Sequence, residues 1–304
     1  MKNDMKKQLL TLLVFVPASV LLAQLDNQQI SSTHLATTKN VVTLNQKKMD
    51  TLKNSNQRAW DIYEKYLEGW KPVSKEEREI AAQIMVENVE YRTPRHESGD
   101  RYTAIKDMEA FQARLPGGHV EIRDVSAYSD VALVTWDLIQ ANGESTAKGP
   151  DQLRISKEGK ITGLITFAPP VSLNRKQMKD TLTSSNQKLW DIYEKYAAGW
   201  KPISKKEREI AAQIMAENIE YRTPSHDSGD RNTAIKDMEA FQAKFPGGHF
   251  EIREVSSHHD LALVTWELIQ VNGESFAKGH DQLRISTEGK IIGLRTFPPS
   301  VSKP

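Results

Sequence analysis

Two aspartates, Asp151 and Asp281, sit in matching strings, DQLRIS, and their neighbours alternate apolar and polar. In a strand, residues two apart share a face, so Asp151 lies with Leu153 and Ile155. If those aliphatics look into a cavity, a carboxyl group goes with them. Desolvation would raise its pKa and hold it protonated, as a hydrogen-bond donor to a developing enolate. The plainer alternative is an aspartate paired with a nearby arginine or capping a strand end. His96 and His226 form a second candidate set, each followed four residues later by an aspartate, Asp100 or Asp230. A histidine beside an acid can act as a general base near neutral pH. An exposed loop histidine next to a turn aspartate fits the same spacing and is the simpler account. Tyr63, Tyr91 and Trp60, with their counterparts Tyr193, Tyr221 and Trp190, are the aromatics expected to line a pocket for a flat apolar ligand. At helical spacing most such aromatics pack a core, but a buried tyrosine hydroxyl needs a partner.

Other chemistries find little support. There is no cysteine, so disulfides and thiolate sites are excluded. No HExxH or comparable spacing is present, and no metal or cofactor is expected. Gly117-Gly118 follows a helix rather than opening one before Lys-Ser or Lys-Thr, so it reads as a stop signal. Forty-one Lys plus Arg against forty Asp plus Glu leave a net charge of +1, which gives nucleic acid no basic field to meet.

The elements that must position these residues can be read along one unit. Asn54-Ser55-Asn56 can cap a helix carrying Ala59, Trp60, Ile62, Tyr63, Tyr66, Leu67 and Trp70 on one stripe, stopped by Gly69 and Pro72. Ser74 and Glu77 make a capping box for a second helix through Ile80, Ala81, Ile84 and Met85. VEYRT reads as a strand, RHESGDR as a loop, and TAIKDMEAFQARL as a third helix ended by Pro116-Gly117-Gly118. Four strand-like runs follow, HVEIRDV, DVALVTWDLIQ, STAKGPDQLRIS and KITGLITF, with Asn142-Gly143 and Glu158-Gly159 as hairpin turns. Three helices on one face of a curled antiparallel sheet make an α+β cone with a hollow inside.

This unit occurs twice. Residues 50–168 and 180–298 align without a gap at an offset of 130 and differ at 29 of 119 positions. The period suits a whole domain rather than a solenoid repeat. Expected boundaries are 49–168 for the first domain and 179–300 for the second, joined by a linker at 169–178. Residues 24–48 are polar and read as unstructured. Lys2, Lys6 and Lys7 precede the apolar run 9–23, which ends at Ala23. That pattern is a signal peptide over 1–23, implying a periplasmic or secreted chain without a stable membrane anchor once the segment is removed.

Element order, unit length and local strings resemble the nuclear transport factor 2-like superfamily, particularly its SnoaL-like and ketosteroid-isomerase-like branches. The strings that carry the resemblance are D-Q-L-R-I-S-x-E-G-K-I at Asp151–Ile161 and Asp281–Ile291, and NVEYRTP leading through a glycine-containing loop to TAIKDMEAF. The resemblance covers nearly all of each unit, residues 52–168 and 182–298. It implies that Asp151 matches the oxyanion-hole aspartate of ketosteroid isomerase and an acid/base aspartate of SnoaL-like cyclases, with Tyr63 near the isomerase tyrosine. Thr93 and Thr223 stand where the isomerase carries its proton-abstracting carboxylate, and a threonine cannot be a base near neutral pH. Family members often dimerise through their sheets, so the resemblance also implies intramolecular pairing of the two domains.

Three functions compete on this reading. One is a protein holding a small, mainly apolar ligand in each cone, with weak or no catalysis. Another is an isomerase, cyclase or hydrolase acting through Asp151 and Asp281. The third is a protein-interaction module without a ligand. Fold alone does not choose among them.

Overall fold

A computed structural model describes residues 35–167, 171–172, 184–298 and 301–302. The expected signal peptide lies outside these residues. The chain divides into two compact units, one built around residues 48–170 and the other around 171–299.

The first unit begins within helix α1, Leu35–Leu67, which is extended by a short 3-10 turn, Glu68–Trp70. This helix starts well before Asn54-Ser55-Asn56 and runs through residues 35–48, so part of the segment expected to be unstructured is helical. Asn56 is no cap either. Its side chain is buried and its Oδ1 accepts a 2.6 Å hydrogen bond from the Ala127 amide, so a tertiary contact takes the oxygen a cap would use. Helix α2, Lys75–Ala82, opens on the expected capping box, with Ser74 and Glu77 satisfying each other's backbone amides. It stops before Met85, which instead begins strand β1, Met85–Arg92. Helix α3, Arg101–Arg114, is capped by Asp100, whose carboxylate accepts from the Thr103 amide.

Strands β2 (His119–Tyr128), β3 (Val131–Ile139), β4 (Ser145–Ile155) and β5 (Ile161–Thr166) form an antiparallel meander. Gly143 and Gly159 take positive φ in the two hairpin turns, as tight reversals require. The sheet is not wholly antiparallel as expected, because β1 joins β5 in parallel. The register shifts between Ile122 and Asp124, leaving Arg123 as an extra residue that bends the sheet. Val301–Ser302, β12, adds a short strand beside β2, giving the order β1-β5-β4-β3-β2-β12.

The second unit repeats the plan. Helix α4 is Ser184–Ala198, α5 is Lys205–Ala212 and α6 is Arg231–Lys244. Its strands are β6 (Val171–Ser172), β7 (Met215–Arg222), β8 (His249–His258), β9 (Leu261–Ile269), β10 (Ser275–Ile285) and β11 (Ile291–Phe297), in the order β6-β8-β9-β10-β11-β7. Each core is a single cluster: Ala59, Tyr63 and Tyr66 from the helix meet Val134, Leu153 and Leu164 from the sheet in the first unit. Tyr193, Tyr196, Val264, Leu283 and Leu294 do the same in the second. Each unit is therefore an α+β cone, with three helices packed on a curved sheet, the architecture that the sequence resemblance implies.

Candidate functional site

Each core stops short of filling its cone. In the first unit a cavity of about 310 Å³ remains, with walls drawn from the first helix, the loop after β1, α3 and five strands. Asp151 forms part of this wall. It is paired with Val134 on β3 and Thr166 on β5, and alternation turns it inward with Leu153. It is 4% exposed. Tyr63 comes down from α1 and donates a 2.7 Å hydrogen bond to Asp151 Oδ2. Oδ1 has no hydrogen-bond partner. Asp281 repeats every part of this: it is 4% exposed, Tyr193 donates to its Oδ2 at 2.7 Å, and its Oδ1 lacks a partner.

Burial pushes the Asp151 carboxyl above the usual carboxylate range, against the opposing pull of Tyr63, Trp136 and Thr166. Burial likewise pushes up Asp281, against Tyr193, Thr296 and Trp266. Burial also drives the hydroxyls of Tyr63, Tyr66 and Tyr91 well above the usual tyrosine range, so all three remain proton donors at ordinary pH.

Trp136 lies across the strand from Gly149, and the indole uses the space a side chain would take. A Cβ on Gly149 would stand 2.5 Å from Trp136 Cζ2. Trp266 covers Gly279 in the same way. The indole nitrogens of Trp70 and Trp136 are buried without a hydrogen bond of normal geometry, although Trp136 is near enough to Asp151 to oppose the rise of its pKa. Both side chains line the cavity. A buried N–H without an acceptor costs about 1–3 kcal/mol, so the two indoles and Asp151 Oδ1 leave the wall of this cavity short of well-placed hydrogen-bond partners.

The histidine candidates belong to a different constellation from the one the sequence suggested. Asp100 is occupied as the cap of α3. The partner of His96 is Asp107, one side of α3 further on, with Nε2 and Oδ1 3.0 Å apart. Tyr91 donates to the other oxygen of Asp107 at 3.0 Å, so one carboxylate joins the tyrosine and the histidine. A pair of backbone hydrogen bonds between Thr93 and His96, each 3.0 Å, holds the loop in this position. His226, Asp237 and Tyr221 repeat the arrangement at 3.0 Å for both contacts, with Asp230 as the cap. Asp107 and Tyr91 line the cavity; His96 stands behind them, about one-third exposed.

Of the sequence candidates, the structure brings Asp151, Tyr63 and Tyr91 together in one wall, with Thr93 beside them. Asp281, Tyr193, Tyr221 and Thr223 meet in the other. Trp60 and Trp190 are not among the lining residues; both are buried within the packed cores. Trp70, Trp136 and Asp107 take their place. Sequence reasoning missed Asp107 because, within TAIKDMEAF, it looks like one more charge on a solvated helix face. Among the described residues no group of three His, Asp or Glu is placed to hold a metal ion, and no helix is long and apolar enough to cross a membrane.

No protein-family model and no curated protein matches the chain. Solved structures do. A SnoaL-like family protein from Agrobacterium tumefaciens is 27% identical over 36% of this chain and 96% of its own, with a TM-score of 0.34. A nuclear transport factor 2-like protein of unknown function from an Exiguobacterium species is 14% identical over 36% of this chain and 98% of its own, with a TM-score of 0.31. Another such protein, from Cytophaga hutchinsonii, is 15% identical over 40% of this chain and 96% of its own, with a TM-score of 0.29.

Proposed function

We propose that this chain binds a small, mainly apolar ligand bearing a hydrogen-bond acceptor, and that the acceptor is held by the buried carboxyl of a cone. The observation that carries this reading is Asp151 Oδ1: 4% exposure for the residue, no partner for the oxygen, and a position in the wall of an aromatic-lined cavity. A carboxyl kept neutral there donates its proton outward while Tyr63 secures the other oxygen. Ligand pockets are commonly of this kind, apolar with a few convergent polar groups. The charged run at residues 2–7 and the apolar run 9–23 support export of the chain before it works.

A second reading is proton-transfer catalysis on an enolisable carbonyl compound. What favours it is Asp107, an acceptor at the cavity wall that is tied to His96 behind it. In that reading Asp151 and Tyr63 steady the carbonyl oxygen while Asp107 takes the proton.

The binding reading is tested by denaturing the purified protein and identifying released small molecules by mass spectrometry, beside Trp136→Arg, which fills the first cavity with a charged chain. A compound released from the wild type and missing from the folded variant is the expected result. No released compound, together with no saturable binding of the neutral fluorophore N-phenyl-1-naphthylamine, would sink the reading. Solvent deuterium exchange into an enolisable ketone, lost in Asp107→Asn but not in wild type, would move the assignment to the second reading.

A further inference from the structure

The two cavities share a frame and differ in their contents. The Tyr–Asp pair, the Asp–His–Tyr set and the glycine under the indole recur residue for residue. The void does not: it is about 310 Å³ in the first unit and about 80 Å³ in the second.

Four of the differences between the repeats fall on wall positions of the first cavity. Leu67, Arg95, Arg114 and Val120 are replaced by Ala197, Ser225, Lys244 and Phe250. Shortening at three of them should enlarge the second cavity, so Phe250 must account for the contraction. Its ring sits edge-on to Trp200 at 5.2 Å and to Trp266 at 4.8 Å, and stacks on Phe241 at 5.0 Å. One phenyl ring thus bridges two indoles; beside their counterparts, Trp70 and Trp136, the matching position holds only the smaller Val120. Such aromatic contacts are favourable beyond the area they bury.

Charge differs as well. Arg95 and Arg114 are exposed at the rim while lining the first cavity, and among the described residues neither makes an ion pair with a carboxylate. Of the two carboxylates in that wall, Asp107 is held by Tyr91 and His96 and Asp151 by Tyr63. In the second unit Ser225 removes one of these cations and Lys244 is not part of the wall; Lys278 is, but it is paired with Glu267 at 3.5 Å.

Building on the ligand-binding reading above, we propose that the duplicated pockets have parted in specificity. The first takes a larger ligand with an apolar body and an anionic group at the rim, beside Arg95 and Arg114. The second admits only a small neutral one, and Phe250 sets the limit.

Two probes with the same ring system separate the size and charge effects: 8-anilinonaphthalene-1-sulfonate and its uncharged relative N-phenyl-1-naphthylamine, titrated by fluorescence with stoichiometry per chain. The wild type is expected to bind each at one site. Val120→Phe removes that site, and Val120→Leu serves as a milder blocker if the phenylalanine impairs folding. Phe250→Val creates a second site. Arg95→Ser with Arg114→Ser weakens the sulfonate about tenfold, as the loss of two exposed charge contacts allows, and leaves the neutral probe within about twofold. Circular dichroism confirms the native state of each variant. Two equal sites in the wild type, an unchanged count in Phe250→Val, or an equal loss of both probes on removing the arginines overturns the divergence while leaving ligand binding intact. No saturable binding of either probe to any folded variant removes the ligand-binding reading itself, and the divergence falls with it.

Discussion

Tyr63 reaches across 88 residues of chain to donate a 2.7 Å hydrogen bond to Asp151, and Tyr193 makes the same bond to Asp281 at the same length. The partners come from the first helix and a central strand, so the bond ties the two layers of each cone together. It also fixes which carboxyl oxygen is spoken for and which faces the hollow.

The titration of these carboxyls should be visible in stability. Burial raises both folded-state pKa values, so between the ordinary carboxylate value and the raised one the folded chain holds more protons than the unfolded chain. Their contribution is complete below the ordinary value and is lost as pH rises through that window. Asp151→Asn with Asp281→Asn cannot titrate there. The melting temperature of the variant relative to wild type is expected to rise as pH rises from acid toward neutral. A difference that stays constant with pH would place both aspartates in an ordinary aqueous setting.

Removing the tyrosine hydroxyl should cost more than its own hydrogen bond. Tyr63→Phe leaves Asp151 buried with neither oxygen satisfied, which is expected to destabilise the first unit by about 1–3 kcal/mol in urea unfolding. Adding Asp151→Leu to that background should recover part of the loss, since no polar group then remains to be satisfied. A Tyr63→Phe protein as stable as wild type would show that the bond is absent in solution.

Asp107 anchors the loop through His96 and the wall through Tyr91. In Asp107→Ala, amide hydrogen exchange is expected to accelerate about tenfold or more over residues 93–99, the stretch that the paired Thr93 and His96 amides close, while α2 exchanges at its wild-type rate. Unchanged exchange in the loop would mean that its own backbone bonds hold it.

Gly149 is predicted to tolerate no side chain without moving the indole. Gly149→Ala places a carbon against Trp136 Cζ2 and should shift that tryptophan into or out of the cavity, changing N-phenyl-1-naphthylamine affinity by about fivefold or more for about 1–3 kcal/mol of stability. Binding identical to wild type would show that the ring yields without consequence.

Much of this arrangement is written in local signals. Ser74 and Glu77 announce a helix start because the capping box is self-contained, and Gly143 and Gly159 announce hairpins because few other residues accept their backbone. Period-two alternation alone turns Asp151 toward Leu153. Features that depend on distant partners were not readable. Asn54-Ser55-Asn56 has the composition of a cap, but Asn56 spends its oxygen on Ala127. Asp100 is nearer His96 in sequence than Asp107 is, yet two turns of α3 bring Asp107 round to the ring. The parallel pairing of β1 with β5 has no composition signature that eight residues can carry. The Val120 to Phe250 exchange is plain when the repeats are aligned, and it means something only once both indoles beside it are placed.

The unequal surroundings of the indoles make the chain its own optical gauge. Trp70 and Trp136 border open space, whereas Trp200 and Trp266 are pressed against the ring of Phe250. Emission from the first pair responds to what enters beside it; emission from the second is dominated by the phenyl ring packed against it. Replacing Trp200 and Trp266 with phenylalanine leaves Trp70 and Trp136 as the indoles at a cavity wall, over the constant background of core-buried Trp60 and Trp190. Changes in intrinsic fluorescence then follow occupancy of the first half, without a dye.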